Sequence, residues 1–342
     1  MRKLCAFLVA MALAGCGHLA PATVVKPLAS KATGAARTTG IPRFVARNAY
    51  YRVDARVGIQ LADLDADITQ HGVGAFVPGD KAAFDIDVHH VDATISASSL
   101  EALVGTYVFG DEGAPVKDVK VSVKGDRLVL AGKLKKVIWV PFSCEGGVAP
   151  MADGRIRFTP TNVTAAGVRV DGLMQLVGLE IAKVFELRKD KGITIAGNDF
   201  VLDVAGMIPP PRMTGRVTAA AIANGALALT LDNGTPRPAL PLPVPGARNY
   251  LAIWGGNVRL GSATLADAKV QVLDADPSDP LTFALERFAD ALEAGTVDLL
   301  RDGGVIAYIP DLRRYDQPLG RFTPPSLPVP GIPAQAPAGT IR

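Results

Sequence analysis

Cysteine is scarce in this chain, which has only three among its 342 residues. Cys5 and Cys16 lie near the N-terminus, so Cys144 is the one cysteine left for the body of the protein. A lone cysteine forms no intramolecular disulfide, and the fold must therefore be stabilised by packing, which a chain of this length can provide. Cys144 could be a nucleophile with His89 or His90 as its base, but the spacing in the sequence does not support this pairing. We therefore interpret Cys144 as a small buried hydrophobe.

Charge of one sign and long apolar runs are also missing. The 36 basic and 33 acidic residues are interspersed and leave a net charge of +3, which gives no support to nucleic-acid binding. After residue 16, no window holds the roughly 18 continuous apolar residues that a membrane helix needs. Since 49% of the residues are hydrophobic and the mean hydropathy is +0.24, the apolar excess must lie in a core, a cavity lining or a surface groove.

Motifs for catalysis and metal binding are absent from the sequence as well. It contains no Gly-x-Ser-x-Gly nucleophile elbow, no phosphate loop and no dinucleotide fingerprint, so we expect no enzyme and no cofactor. Asp63, Asp65 and Asp67 lack the glycine and glutamate spacing of an EF-hand loop and suit the solvent face of a strand. The adjacent His89 and His90 should point to opposite faces of a strand and share no ion, so we expect no metal site.

The N-terminus carries the most specific signal. Residues 1–3 are basic at two positions, residues 4–12 are apolar, and the quartet Leu-Ala-Gly-Cys that ends at Cys16 resembles the lipobox of bacterial lipoproteins. The resemblance implies a signal peptide over residues 1–15 and a mature N-terminal Cys16 that carries acyl chains such as palmitate. Gly17 stands where enteric inner-membrane lipoproteins have aspartate, which implies lipid anchoring at the periplasmic face of the bacterial outer membrane. An ordinary signal peptide with a chance cysteine is the alternative.

Three segments follow the signal peptide. Residues 16–48 are rich in Ala, Thr, Lys and Pro without a sustained period, and they are predicted to form a flexible tether. Residues 49–310 alternate apolar and polar side chains and are predicted to form the folded domain. Residues 311–342 are predicted to form a Pro-rich, mostly disordered tail.

Strands dominate the predicted domain. One long strand is expected over residues 51–61, and the alternation changes phase near Ala62 and before Val91, which predicts bulges there. Residues 235–245 are predicted to be an extended, Pro-rich surface connector. Three dipeptides predict hairpin turns: Gly125-Asp126, Asp153-Gly154 and Asn224-Gly225.

About three helices are expected, and they do not alternate with the strands, so the predicted fold class is α+β and not a doubly wound sheet. Ser98 and Glu101 predict a capping box at the first helix. The second helix follows Asp171 and carries a broad apolar stripe. The third is predicted to begin at Asp279-Pro280 and to end at Gly295.

One pattern of strands and turns in the middle of the chain is more specific than the general α+β class. It comprises residues 119–132 (VKVSVKGDRLVLAG), residues 153–160 (DGRIRFTP), the helix at Gly172-Leu173 and the hairpin at Asn224-Gly225. The pattern resembles a bacterial family of tubular lipid-binding (TULIP-type) envelope lipoproteins, which includes a mycobacterial lipoprotein associated with mannan elongation. The resemblance implies a long, highly curved antiparallel sheet wrapped around one or two helices and enclosing an apolar groove. The first strands and everything after Thr235 depart from the family pattern.

The expected function is that of a membrane-anchored periplasmic lipoprotein that binds or shuttles the acyl chains of a lipid or glycolipid. The candidate groove residues are Leu128, Leu130, Phe158, Leu173, Val177 and Ile181. The alternative is a structural or adaptor lipoprotein with a solid core that binds another envelope protein. A connected apolar cavity of several hundred Å³ would favour the first function, and a filled core the second. A third hypothesis, an enzyme acting on envelope lipid or glycan, requires clustered, desolvated carboxylates in a cleft.

Overall fold

The computed structural model describes residues 40–170 and 191–319. Within them, strands account for 52% of the residues and helices for 10%. The strands form two open, curved sheets and a separate hairpin. At this coarse level the observed architecture agrees with the predicted α+β class.

Strands of two to thirteen residues and a few short helices make up the described part of the chain. The described strands are β1 (Arg43–Arg52), β2 (Gly58–Gln70), β3 (Phe84–Ser96), β4 (Val116–Lys124), β5 (Arg127–Lys135), β6 (Trp139–Pro150), β7 (Ile156–Ala165), β8 (Val168–Arg169), β9 (Ile193–Ala196), β10 (Asp199–Leu202), β11 (Arg212–Thr214), β12 (Val217–Ala223), β13 (Ala226–Asp232), β14 (Tyr250–Trp254), β15 (Asn257–Leu260), β16 (Ala263–Ala266), β17 (Lys269–Asp274), β18 (Leu281–Phe283), β19 (Thr296–Leu299) and β20 (Val305–Ile309). The described helices are α1 (Ala97–Leu103), α2 (Val204–Met207) and α3 (Phe288–Ala294), with a π-helical turn at Val104–Val108 and a 3₁₀ turn at Leu285–Arg287.

The two sheets differ in size and order. The larger has the strand order β12-β13-β3-β2-β1-β14-β17-β20-β19, with β11 beside β3 and β18 beside β1. The smaller has the order β4-β5-β6-β7-β10-β9, with β8 beside β7, and β15 and β16 form the hairpin. Among the described pairs, β1 with β18, β3 with β11 and β17 with β20 are parallel. The neighbouring strands of the smaller sheet are all antiparallel.

One continuous apolar core joins the two sheets. Helix α1 connects β3 of the larger sheet to β4 of the smaller one along the chain. A second junction lies at the β6–β7 turn, where the Val217 amide donates to the Gly154 carbonyl at 3.1 Å and the Arg216 guanidinium donates to the Ala152 carbonyl at 2.6 Å. Between these junctions the apolar faces of both sheets enclose the space that contains the candidate site.

The predicted hairpin turns are confirmed. Gly125, Gly154 and Gly225 lie at the β4–β5, β6–β7 and β12–β13 turns with φ of +64°, +85° and +76°, and Asn224 has φ of +51°. Glycine reaches such φ values at little cost, and asparagine tolerates them better than most residues. The two bulges are confirmed as well. The β2–β3 register shifts once at Ala62 of β2 and again at His89 of β3, and each of these residues has no partner in the register.

The N-terminal boundary of the fold differs from the expected one. Strand β1 begins at Arg43, inside the segment predicted to be tether, and ion pairs of Arg43 with Asp65 and Arg47 with Asp63 fix it to β2 at 2.6 Å each. The single strand expected over residues 51–61 is wrong. The chain turns at Asp54, whose carboxylate accepts the amides of Arg56 and Val57.

Two helix predictions need correction. Helix α1 is capped by Ser96, which accepts the Ser99 amide at 3.1 Å, so the predicted box at Ser98 is wrong. The helix predicted from Asp279 begins only at Phe288, because Leu281–Phe283 forms strand β18 beside β1. The pairing of β18 with β1 outweighs the local helical spacing.

Two segments outside the predicted strands pack on the body of the protein. Leu312 is buried, and the Arg287 guanidinium donates to the Tyr315 carbonyl, so the part of the tail before residue 320 packs on the body. The connector over residues 235–245 is irregular, as predicted, and its Leu240 and Leu242 pack on the outer face of β14 and β17. The predicted signal peptide, the helix after Asp171 and the tail from residue 320 lie outside the described residues.

Candidate functional site

An apolar cavity of about 120 Å³ lies in the core between the two sheets. Strands of the smaller sheet form one wall, α1 and α2 form two sides, and β3 and β13 of the larger sheet close it. Representative lining residues are Ile95, Leu103, Leu128, Phe142, Phe158 and Leu229. One water needs roughly 10–15 Å³, but an apolar lining gives it no hydrogen-bond partner, and such cavities stay dry and take apolar ligands.

The sheet wall is built by alternation on neighbouring strands. Val121 of β4 lies opposite Leu130 of β5, and both side chains line the cavity. Phe158 and Phe200 are cross-strand neighbours on β7 and β10, with ring centroids 6.1 Å apart. Aromatic pairs at this separation add to the stability of the wall beyond the area they bury.

Gly146 is required where Phe158 lies on the sheet. A Cβ atom at Gly146 would lie 2.8 Å from the Phe158 ring and closer still to the Thr159 carbonyl oxygen. The neighbouring Gly147 has open space around the corresponding position. The absence of a side chain on β6 at Gly146 therefore lets the aromatic ring settle against the strand and shape the cavity.

Helix α1 is attached to the edge of the smaller sheet by one carboxylate. Glu101 accepts the Val121 amide at 3.0 Å and pairs with the Lys120 ammonium at 2.8 Å. The hydrogen bond from Lys120 and that from the Val121 amide lower the pKa of Glu101. This attachment holds Leu100 and Leu103 over the cavity and satisfies an amide of edge strand β4.

Helix α2 closes the opposite side through a close approach of two glycines. Asp203 caps α2 by accepting the Ala205 amide at 3.1 Å. A Cβ atom at Gly206 would lie 2.7 Å from the backbone of Gly192, and Gly192 itself has φ of +72°. With glycine at both positions, Val204 and Met207 reach the cavity lining.

Two smaller apolar voids continue from the cavity into the larger sheet. The first, about 50 Å³, shares Ile95, Val204, Ile208 and Leu229 with the cavity lining. The second, about 10 Å³, shares Phe44, Ile86 and Leu285 with the first. The cavity and the two voids thus form a row of loosely packed space in the apolar core, whereas protein interiors are usually close-packed.

Three of the six predicted groove residues lie in the cavity wall, namely Leu128, Leu130 and Phe158. Leu173, Val177 and Ile181 lie outside the described residues, as does Cys16. The α1 residues Leu100 and Leu103 also line the cavity and were not among the predicted groove residues. The walls from β3, β13 and α2 carried no sequence signal, because their alternation is that of any buried strand or turn.

The described lining contains no titratable side chain, so it can bind apolar groups but supplies no acid, base or nucleophile. Cys144 lies elsewhere in the core and is only 2% exposed, which agrees with its interpretation as a buried hydrophobe. Burial raises the pKa of its thiol to about 12, which keeps it protonated.

His89 and His90 lie on the same face of the larger sheet, so the prediction of opposite faces is wrong. The bulge at His89 turns it to the polar face, where its Nε2 lies 2.9 Å from the Asp67 carboxylate. His90 pairs across the strands with Asp65 on that face and lies 3.3 Å from Asp232. Asp63, Asp65 and Asp67 line the polar face of β2, and their partners are arginines and His89.

Asp274, Asp279 and Asp311 form a carboxylate cluster, with one oxygen of each within 4.8 Å of the others. Burial is the main cause that raises the pKa of Asp274 to about 6 and that of Asp311 to about 7. The Asn249 side-chain amide donates to the Asp274 carboxylate at 3.1 Å, and the Thr282 backbone amide donates to the Asp311 carboxylate at 2.6 Å. These are the residues that could offer ligands to a metal, although calcium takes six to eight oxygens. They lie outside the lining of the apolar cavity and add no acid or base to it.

Comparison with family models, curated proteins and solved structures finds no match. No family is therefore identified, and the resemblance to TULIP-type lipoproteins stays a hypothesis. The described helices are seven residues long or shorter, and none of them could cross a membrane. The cavity is therefore the feature that indicates what the site can bind.

Proposed function

We propose that the protein binds the apolar chain of a lipid or glycolipid in the cavity between its sheets, as a membrane-anchored periplasmic lipoprotein. The observation that carries the proposal is a cavity of about 120 Å³ with an apolar lining throughout its described part. Core side chains normally leave few voids larger than a water molecule. A void about ten times that size, kept open by residues from eight strands and two helices, is a feature that needs a reason.

The energetics favour occupancy by an apolar group. An empty cavity destabilises the fold by about 24 cal/mol per Å³, which gives about 2.9 kcal/mol for this volume. A ligand segment that fills it recovers part of that cost and adds the transfer of its own surface from water, about 25 cal/mol per Å². Full recovery of the cavity cost would correspond to about a hundredfold in affinity.

The volume limits what can enter. A cavity of about 150 Å³ holds a molecule such as benzene, so this one takes a short segment of an acyl chain and not a whole chain. The adjoining void of about 50 Å³ shares four lining residues with it and offers a continuation. The cavity is smaller than the several hundred Å³ expected for an open lipid groove, which is the one observation that favours the adaptor alternative.

The finer features of the proposal rest on the sequence. A TULIP-like curved sheet is supported by two curved sheets around one apolar core. The lipobox at Cys16 would anchor the protein at the periplasmic face of the outer membrane. The tether would then keep the cavity at a high effective concentration near membrane lipid.

The test uses the full-length chain with Cys16→Ser, which removes the covalent acyl group. We expect native mass spectrometry to detect a lipid adduct that organic extraction removes, and a fluorescent fatty acid to bind the extracted protein. Val121→Phe places a ring in the cavity and should abolish this binding. Val129→Phe is the matched control, because Val129 lies on the adjacent strand outside the cavity lining. Absence of both adduct and uptake, or equal uptake by the two variants, would favour the adaptor.

A further inference from the structure

The turn between β5 and β6, residues 136–138, exposes two large apolar side chains. Val137 is 102% exposed and Ile138 is 71% exposed, relative to an extended chain. Trp139 follows at the start of β6 and is half-buried. The β7–β8 turn lies at the same end of the sheet, where the Ala166 amide donates to the Pro141 carbonyl at 2.8 Å, and Val168 beside it is 66% exposed. Single exposed apolar residues need no explanation, but a group of them at one end of a sheet does.

Basic side chains surround this hairpin tip, which we define as residues 133–139. Lys135 and Lys136 are exposed, and no carboxylate among the described residues pairs with them. The Lys117 ammonium lies 4.3 Å from the centroid of the Trp139 ring. Within the part of the chain that the structure describes, Lys133 is the one lysine of the tip that pairs with a carboxylate, that of Asp118 at 2.9 Å. The tip therefore combines protruding apolar groups with a positive rim.

The tip is held in place by the sheet and by a neighbouring loop. Lys135 pairs with Trp139 and Leu134 with Val140 across the hairpin, and Leu134 is buried. The Lys135 amide donates to the Pro115 carbonyl at 2.8 Å, and the Lys136 amide to the Ile138 carbonyl at 3.0 Å. Because the backbone is already ordered, binding through the tip would cost little conformational entropy.

We propose that the hairpin tip docks on an anionic phospholipid surface. Val137 and Ile138 enter the edge of the acyl region, Trp139 lies at the level of the head groups, and the lysines contact the phosphates. Tryptophan and lysine are the residues favoured at this depth, and each lysine near an anionic surface strengthens binding about fivefold. A specific protein partner would need roughly 800 Å² on this side, far more than a few protruding side chains offer.

The proposal does not depend on lipid being carried in the cavity, but it gives the cavity a position. Phe142 of β6 lines the cavity and lies four residues after Ile138, which directly precedes that strand. At about 3.3 Å per residue, the cavity wall lies roughly 13 Å from the inserted tip. Docking would bring the apolar core close to the bilayer, independently of the anchor at Cys16.

The experiment measures binding of the full-length Cys16→Ser chain to vesicles of phosphatidylcholine, with and without phosphatidylglycerol. We expect at least tenfold tighter binding to the anionic vesicles, weakened by salt. Val137→Ser with Ile138→Ser should lower that affinity by about tenfold or more, and Lys135→Gln with Lys136→Gln by about 25-fold. The matched controls are Val73→Ser, at a side chain that is 106% exposed on another loop, and Lys124→Gln, at the opposite end of the smaller sheet.

Tryptophan fluorescence locates the contact. The chain has two tryptophans, so Trp254→Phe leaves Trp139 as the sole tryptophan, which is excited selectively at wavelengths that tyrosine does not absorb. Its emission should shift to the blue on anionic vesicles and be quenched by brominated acyl chains. Equal binding by tip variants and controls, equal affinity for neutral and anionic vesicles, or an unshifted Trp139 would each overturn the proposal. Loss of lipid uptake with these results intact would bear only on the cavity.

Discussion

Val121→Phe is the substitution whose outcome depends most directly on the cavity being empty without ligand. Val121 lines the cavity, so the phenyl ring has unoccupied space in front of it. At about 24 cal/mol per Å³, the cavity of about 120 Å³ costs about 2.9 kcal/mol. A ring that fills part of it should raise the free energy of unfolding by about 1 kcal/mol, the usual gain from cavity filling.

The assay is urea and thermal unfolding of the full-length Cys16→Ser chain after organic extraction. The urea midpoint should rise without a change in slope, and the melting temperature should rise by about 2–4 °C. Val129→Phe on the neighbouring strand should change the free energy of unfolding by no more than about 0.5 kcal/mol.

Stability and binding should move in opposite directions in the Val121→Phe chain, which gains stability and loses fatty-acid uptake. If the core were filled, the Val121→Phe chain should instead lose stability. Overpacking would destabilise the chain by about 1–3 kcal/mol. A destabilised Val121→Phe chain would therefore refute the cavity.

Two further predictions concern the wall and the carboxylate cluster. Gly146→Ala should lower the free energy of unfolding by about 1–3 kcal/mol, because its Cβ would lie 2.8 Å from the Phe158 ring, whereas Gly147→Ala should have little effect. Equal urea midpoints for these two variants would contradict the packing of Phe158. Asp311→Asn should reduce the fall in melting temperature between about pH 5 and pH 8. The pKa values of Asp274 and Asp311 are raised in the folded protein, which therefore holds protons that it releases as the pH rises.

The sign of the pH effect follows from the two carboxyl groups. In the unfolded chain both titrate near 3.8, and in the folded protein Asp274 titrates at about 6 and Asp311 at about 7. Their contribution to stability is complete below about pH 4 and is lost as the pH rises through about 6 to 7. An equal change in melting temperature through that window with and without Asp311 would contradict the burial of the cluster.

Local features were predictable where a few adjacent residues determine the backbone. Asn224-Gly225 forms its hairpin turn because both residues accept positive φ, and the phase change at Ala62 marks a bulge because alternation cannot shift otherwise. Leu128, Leu130 and Phe158 were identified as one apolar face for the same reason. Each of these predictions needs only the side chains of one or two strands.

Features decided by distant partners were not predictable. Leu281, Leu285 and Phe288 have helical spacing. Residues 281–283 nevertheless form a strand, because they pair with β1. The turn at Asp54 was missed because the apolar residues Val53 and Val57 continue the alternation of the strand through it. Both are buried even though the chain turns between them. The cavity itself depends on Gly146, Gly192 and Gly206 meeting other backbones, and no local pattern announces such contacts.

The most direct measurement is a crystal structure of the Cys16→Ser chain grown with a fatty acid brominated near its methyl end. We expect anomalous bromine density inside the cavity, between Leu128 and Phe158. Bromine found only on the protein surface, with the cavity empty or closed by side chains, would contradict lipid binding between the sheets.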